Sequence, residues 1–270
     1  MGICNTKIIH PKKSKSYELQ SLTDHTAGIN SVTLNEDESI LATVSDDRTI
    51  RLWTTQTDRC ECIGTLIGHE DYVTCAVIED IYVMSGSADK TMRKWDMLTG
   101  ECLFICRGHK SLINRIFCTG DLIFTSSYDR TVRCWNFDTG EIVRIFAGHK
   151  RSVYPMVFIP YDEEDPAENG HRVATKTSAR GSLRIAEDLL ITGSADQTAI
   201  VWSFETGKII HTLKEHTGAL TCVAVDLEGR ILLTGSTDHT IRSWDIQTGQ
   251  RIRIFEGHQS SVICMTVYSL

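Results

Sequence analysis

A histidine, a serine and an aspartate at short spacing are the parts of a hydrolase relay, in which the carboxylate orients the imidazole and the imidazole takes the hydroxyl proton. His69, Ser87 and Asp89 offer such a set, and equivalent sets occur five times along the chain. One active site needs one exposed, activated nucleophile, whereas an identical polar set in every repeat is what a structural hydrogen-bond network produces. Repetition therefore favours bracing over catalysis. No unrepeated grouping of nucleophile, base and oxyanion donors stands beside these sets, and no enzyme activity is expected. Neither Cys60-x-Cys62 nor the Cys102/Cys106 pair has a second pair at zinc-ribbon spacing, so neither a metal nor a cofactor is expected.

The elements that must position these residues repeat with them. His25, His69, His109, His149, His216 and His258 are separated by 44, 40, 40, 67 and 42 residues. After each of the first five comes a second signature, VSDDRTIRLW, GSADKTMRKW, SSYDRTVRCW, GSADQTAIVW and GSTDHTIRSW, with the shared skeleton Ser-x-Asp-x-Thr-x-x-x-Trp. Within a unit, short β-branched and aromatic runs at 72–77, 81–85, 91–95 and 102–106 alternate with turns at Ala88-Asp89-Lys90 and Met97-Leu98-Thr99-Gly100, the pattern of a four-stranded antiparallel meander. A four-stranded sheet with two apolar faces cannot bury both alone, so the units must pack face to face around an axis. Cys75, Cys222 and Cys264 each fall six residues after a repeated histidine, which marks one recurring small apolar position in the core.

The Gly-His signature, the Ser-x-Asp turn and the Trp-Asp pairs at Trp95-Asp96 and Trp244-Asp245 resemble the WD40 family, and six correlated signatures are far more specific than a single Trp-Asp dipeptide. The resemblance covers nearly the whole chain. It implies an all-β WD40 β-propeller of four-stranded antiparallel blades, with a disordered tail over 1–16, a propeller over 17–270, repeats near 25–66, 69–106, 109–146, 149–213 and 216–256, and a partial repeat over 258–270. It also implies a bonded set in each blade: His25, Ser45, Asp47 and Trp53; His69, Ser87, Asp89 and Trp95; His109, Ser127, Asp129 and Trp135; His149, Ser194, Asp196 and Trp202; His216, Ser236, Asp238 and Trp244. Arg51, Arg93, Arg133 and Arg242 recur after the turn, whereas the fourth repeat has Ile200 and is expected to lack their shared surface charge. In this family each repeat supplies three strands of one blade and the outer strand of its neighbour, which gives five complete blades plus leftover strands near 17–22 and 261–267 of an incomplete sixth. A ring with such a gap is expected to carry unpaired edges. A truncated isoform or gene model, an expression fragment, and closure in trans by another chain are the three explanations open at this point.

The wide fourth spacing comes from an insertion over 160–186, acidic at Asp162, Glu163, Glu164, Asp165 and Glu168 and basic at Arg172, Lys176, Arg180 and Arg184. With few large apolar side chains it is expected to form a solvated loop on the face opposite the Asp turns. At the N-terminus, Gly2 followed by Thr6 fits an acyl-acceptor pattern, Cys4 is a candidate for palmitoylation, and Lys7, Lys12, Lys13 and Lys15 supply positive charge. A single myristoyl chain binds membranes marginally, so Gly2 and Cys4 together are the candidate anchor for peripheral membrane attachment. No apolar signal segment is recognisable, which makes the cytoplasm the expected location.

Across 270 residues, 41% hydrophobic and 23% charged content with no apolar run near the roughly 20 residues of a membrane span describe an ordinary soluble composition. A formal net charge of −7 argues against a chain whose main task is neutralising phosphates, so nucleic acid is not an expected partner. The leading expectation is a non-catalytic scaffold or adaptor for other proteins or peptides. Its expected contact face carries the Asp turns and histidine loops, where Asp46, Tyr72, Tyr128, Arg151 and Tyr154 are the candidate anchors. The alternative is the substrate-recognition subunit of a ubiquitin ligase complex. It is weakened because some sixteen residues before the first strand are too few for an F-box, and neither Trp-Asp pair is followed by the Arg of a Trp-Asp-x-Arg adaptor motif.

Overall fold

The computed structural model describes residues 21–57, 59–161, 187–226 and 230–267. Among these residues twenty strands form five sheets, each an antiparallel meander of four consecutive strands. The first blade is β1 (Ile29–Leu34), β2 (Ile40–Ser45), β3 (Thr49–Thr54) and β4 (Glu61–Ile67), and the second is β5 (Val73–Glu79), β6 (Tyr82–Ser87), β7 (Met92–Asp96) and β8 (Cys102–Cys106). The third comprises β9 (Ile113–Thr119), β10 (Leu122–Ser127), β11 (Thr131–Asn136) and β12 (Ile142–Ala147). The fourth comprises β13 (Val153–Ile159), β14 (Leu189–Ser194), β15 (Thr198–Ser203) and β16 (Ile209–Lys214). The fifth comprises β17 (Leu220–Val225), β18 (Ile231–Ser236), β19 (Ile241–Asp245) and β20 (Arg251–Phe255).

The cores lie between sheets, which is why the inner strands are apolar on both faces. At the first seam Ala42, Val44, Ile50, Leu52 and Leu66 of one blade meet Val73, Ala76, Val83 and Trp95 of the next. Met84, Met92 and Cys106 meet Ile113, Ile123 and Trp135 at the second seam, and Leu189, Ile191 and Val201 meet Leu220, Leu232 and Trp244 at the fourth. The tryptophan of each later blade thus packs on the blade before it. At the third seam the filling is aromatic. Phe124 is fully buried, with its ring centroid 5.3 Å from Phe158, 5.9 Å from Phe204 and 6.1 Å from Phe117.

A polar stitch joins successive inner strands. Asn30 Nδ2 donates to the Val73 carbonyl at 2.8 Å, Thr74 Oγ1 to that of Ile113 at 2.6 Å, and Asn114 Nδ2 to that of Val153 at 2.6 Å. Thr221 Oγ1 donates in the same way to Val262. The residue in this place on the fourth blade is Tyr154, which turns back toward the third blade instead. Pro155 follows it, where the second and fifth blades have Cys75 and Cys222, and its ring fills the space over Gly193.

Of the leftover strands, 17–20 lie outside the described residues, as do 162–186 of the insertion. The other leftover segment, 261–267, has no strand partner among the described residues. It nonetheless starts an inner strand, because Val262 is only 6% exposed, stands in the place of Val73, Ile113, Val153 and Leu220, and donates its N–H to the Ser236 carbonyl. Cys264 departs from expectation. Cys75 and Cys222 are buried as the spacing predicts, but Cys264 is exposed, since among the described residues no further sheet covers it. At the opposite end Ile29, Val32 and Leu34 of β1 are 49%, 57% and 45% exposed, although their counterparts on β5 are covered by the preceding blade.

Candidate functional site

Each turn between the second and third strand of a blade is built by its aspartate. In the third blade the Thr131 N–H and Oγ1 donate to Asp129 Oδ1 at 3.0 and 2.6 Å, closing the turn, and Arg130 takes a left-handed conformation with φ of 73°. The second carboxylate oxygen reaches across to the histidine loop, where His109 Nδ1 lies at 2.7 Å and the Lys110 N–H at 2.9 Å. The same pairings tie His25 to Asp47, His69 to Asp89, His149 to Asp196 and His216 to Asp238 at 2.7 to 2.9 Å.

The hydroxyl member differs from expectation. The group that meets both the imidazole and the indole belongs to Thr43, Ser85, Thr125, Thr192 or Thr234, two residues before the serine column. In the third blade Thr125 Oγ1 lies 2.8 Å from His109 Nε2 and accepts the Trp135 Nε1–H at 2.9 Å. Ser45, Ser87, Ser127, Ser194 and Ser236 sit at the strand ends, too near the turn to reach the indole. Each accepts the N–H of the turn aspartate at 3.0 to 3.1 Å, and the first four also donate to a carbonyl of the histidine loop. Replacing Thr125 with Val therefore leaves two buried nitrogens without a partner, costs about 2 to 3 kcal/mol, and moves the Trp135 indole N–H resonance in a ¹⁵N correlation spectrum. Ser127→Ala leaves that resonance in place.

With the histidine donating from Nδ1, every group is satisfied in one direction: indole N–H to hydroxyl, hydroxyl to Nε2, Nδ1–H to carboxylate. In the second blade this gives Ser85, His69 and Asp89 the bonding order of a hydrolase relay. Burial closes it, because Ser85 is wholly inaccessible and one of its lone pairs already holds the Trp95 indole. The buried thiols are equally quiet. Desolvation pushes Cys75 up to about 11, and Cys106, Cys134 and the half-buried Cys118 up to about 12, so none is a thiolate near neutral pH.

Protonation sets when the networks hold. Burial alone would raise the carboxyls, but hydrogen bonds from His69 and Thr91 outweigh it at Asp89, and the partners of Asp47, Asp129, Asp196 and Asp238 do the same, holding all five well below the usual carboxylate range. Their contribution to stability is present above the unfolded value near 3.9 and is lost as pH falls through the folded values. His216 is lowered, chiefly by burial, so the unfolded chain takes up its proton first and stability also declines as pH drops below about 6.5. Calorimetry is expected to show a melting temperature that sags from pH 6.5 and falls steeply below about 4. A constant value from pH 7 to 5 would contradict the assignment at His216.

The recurrent arginines are not the surface charges expected from the sequence. Arg93 is buried, and its guanidinium lies over the Trp95 ring at 5.8 Å, as that of Arg133 does over Trp135 at 6.0 Å. Alternation puts residues two apart on one strand face, which brings Arg93 and Arg133 over their own tryptophans. Where the residue before the histidine is acidic, the arginine pairs with it, Arg51 with Asp24 at 3.5 Å and Arg242 with Glu215 at 2.8 Å. In the fourth blade Ile200 fills the equivalent place and is buried.

The five candidate anchors lie at the turn and loop end of the blades, and the structure brings two of them together. The Tyr154 hydroxyl donates to that of Tyr128 at 3.1 Å, with the rings edge to face at 5.7 Å. Burial pushes the Tyr154 hydroxyl up to about 12, and Tyr128 adds to the shift. Arg151 is exposed beside this pair in sequence and loop. Asp46 sits apart on the first blade, where it accepts from Asn30 Nδ2 at 2.8 Å, and Tyr72 is half-buried on the second. Lys110, Arg130 and Lys150 are exposed in turn and loop positions of the same two blades. Sequence reading passed over them because lysine and arginine are common in exposed loops, although comparing equivalent loop positions blade by blade would have shown them. Gly2 and Cys4 lie outside the described residues. Among the described residues no group of side chains suits a metal ion, and no helix is long and apolar enough to cross a membrane.

Five such blades with their repeated bracing define a WD-repeat propeller. The family described as "WD domain, G-beta repeat" matches residues 16–54, 60–96, 100–136 and 207–245, and the chain belongs to it. The interrupted fourth repeat falls between those matches. Among similar curated proteins, mitochondrial division protein 1 of Saccharomyces cerevisiae is 26% identical over 225 residues, covering 77% of this chain and 26% of its own length. A CCR4-associated factor 4 homolog of Vanderwaltozyma polyspora is 27% identical over 230 residues, covering 79% of this chain and 28% of its own. The chain thus spans about a quarter of the length of the curated relatives it matches.

Proposed function

We propose that the chain is a non-catalytic scaffold that holds other proteins or peptides on the face bearing its Asp turns and histidine loops. One observation carries this reading. The polar residues common to all blades are consumed in internal bracing, whereas the residues between them, Asp46, Ala88, Tyr128, Ala195 and Thr237 at one such position, differ from blade to blade at the same rigid height. A stiff frame presenting varied side chains is suited to recognition, and aromatic and arginine side chains such as Tyr128, Tyr154 and Arg151 are the usual energetic centres of interfaces.

The test places a photo-crosslinking amino acid at position 128 and, separately, at the exposed outer-rim position 143 in the full chain inside cells. Discrete crosslinked partners at 128 that are absent at 143, and are lost on Tyr154→Ala, support the loop face as the working surface. The same partners at both positions, or partners at 143 alone, would refute it.

The N-terminal reading is cytoplasmic with peripheral membrane attachment through acylated Gly2 and Cys4. Metabolic labelling with an alkyne myristate is expected to mark the chain and to be abolished by Gly2→Ala, and an unlabelled wild-type chain would end that reading.

A further inference from the structure

The loop face is not electrically uniform. In the third and fourth blades the positions around the bracing network hold Lys110, Arg130, Lys150 and Arg151, all exposed. The places of Lys110 and Arg151 hold Glu70 and Asp71 in the second blade, Thr26 and Ala27 in the first, and Thr217 and Gly218 in the fifth. The backbone fixes these cations at the mouth of the turns, since the Lys110 and Lys150 N–H groups donate to Asp129 and Asp196 at 2.9 and 2.7 Å, and the Arg151 carbonyl accepts from Ser194 at 3.1 Å. Asp129 and Asp196 are the two carboxylates at this end of the two blades among the described residues. Their side chains are only 5% and 8% exposed, and their acceptor sites are taken inside the network. A chain of formal charge −7 thus carries four exposed cations on two adjoining blades, three of them at histidine-loop places that are acidic or uncharged in the other blades, around a place where two tyrosines meet across a seam.

We propose that the loop ends of the third and fourth blades form a docking site for an acidic peptide segment of a partner protein, its Asp and Glu carboxylates meeting Lys110, Arg130, Lys150 and Arg151 and one apolar side chain resting on the Tyr128–Tyr154 pair. This rests on the scaffold reading and narrows it to a class of partner. Arginine forks and lysine points both suit carboxylates, and the tyrosine rings supply the rigid apolar floor that a charge patch alone lacks. Exposed charges act over about 8 Å at physiological ionic strength, so the site is salt-sensitive and discriminates mainly against neutral and basic segments.

The experiment is fluorescence anisotropy on the full chain with a labelled twelve-residue peptide of Asp and Glu around a central Leu, beside the same peptide with Asn and Gln, a phosphoserine version of the neutral peptide, and a single-stranded RNA of fifteen nucleotides. The acidic peptide is expected to bind at least tenfold more tightly than the neutral one and to weaken as salt rises from 50 to 300 mM. The double variant Lys110→Glu/Arg151→Asp is expected to lose at least tenfold. These are the residues the second blade already carries at those positions, so the fold is retained, which a thermal melt checks. Tyr128→Ala is expected to lose several-fold without changing the salt dependence. Equal binding of the neutral peptide, tighter binding of the phosphoserine peptide or the RNA, or indifference to the double variant would overturn the proposal. If crosslinks at 128 still capture partners in that event, the loop face stands and its acidic preference alone falls.

Discussion

Asp129→Ala is expected to cost the chain about 3 to 5 kcal/mol and to loosen the third blade before the others, because one side chain holds both its turn and its loop. The carboxylate accepts from His109 Nδ1, the Lys110 N–H, the Thr131 N–H and the Thr131 hydroxyl, all within 2.6 to 3.0 Å. Alanine leaves those donors facing a space that water reaches poorly. It also removes the partner that fixes the imidazole, so the effect passes through Thr125 to the Trp135 indole inside the seam. Asp129→Asn keeps an acceptor oxygen but turns an amide toward donors, and is expected to lie between the two. Asp47→Ala in the first blade should cost less, since among the described residues a blade covers its sheet on one face only. Urea unfolding followed by tryptophan fluorescence measures the series, and a loss below about 1 kcal/mol for Asp129→Ala would contradict the central role given to the carboxylate.

Phe124→Ala is the second large effect. Phe124 stands between the rings of Phe117 and Phe158 and edge-on to Phe204, with no solvent access. Truncation removes a whole ring from a seam whose neighbours are themselves rigid, and large-to-small changes of this kind cost about 3 to 5 kcal/mol. The loss is expected to concentrate between the third and fourth blades, where hydrogen exchange at β10 and β13 should rise by more than tenfold while β5 and β6 stay protected. Phe124→Leu recovers most of the stability if the term is burial, and little of it if edge-to-face ring contact dominates. Uniform acceleration across all five blades would show instead that the seams unfold as one unit.

Much of this was legible from the chain alone, for a physical reason. A repeated unit that must bury both faces writes the same apolar and turn residues at the same spacing each time, so blade number, strand order and the His, Asp and Trp positions could be read directly. The hydroxyl of the network could not. Two columns of Ser or Thr run through all five repeats, at 43, 85, 125, 192 and 234 and two residues later, and strand alternation puts both on one face. What separates them is depth along the strand relative to the indole, which is a three-dimensional quantity. The arginines misled for a similar reason, since a charged residue type at a regular position reads as surface until its guanidinium is seen over the tryptophan two residues on. Cys264 shares its spacing with Cys75 and Cys222, yet burial is a property of whatever sheet lies alongside and not of the spacing. The contact between Tyr128 and Tyr154, 26 residues apart on different blades, emerges only when the third seam closes.

The inner-strand stitches all run one way, with the donor on the earlier blade and the carbonyl on the later one. A chain made from its N-terminus therefore finishes each sheet with an amide or hydroxyl still waiting for the strand that has not yet been synthesised, and that strand is placed in register as it arrives. Asn30 waits for Val73, Thr74 for Ile113 and Asn114 for Val153, so assembly order is written into bond direction. At Tyr154 the hand-off reverses toward Tyr128, on a strand that the long insertion separates from β14. At the fourth inner strand shape takes the place of the stitch, with Pro155 and Leu220 both close to Gly193, and among the described residues no inner-strand bond of this kind runs from Tyr154 to the fifth blade.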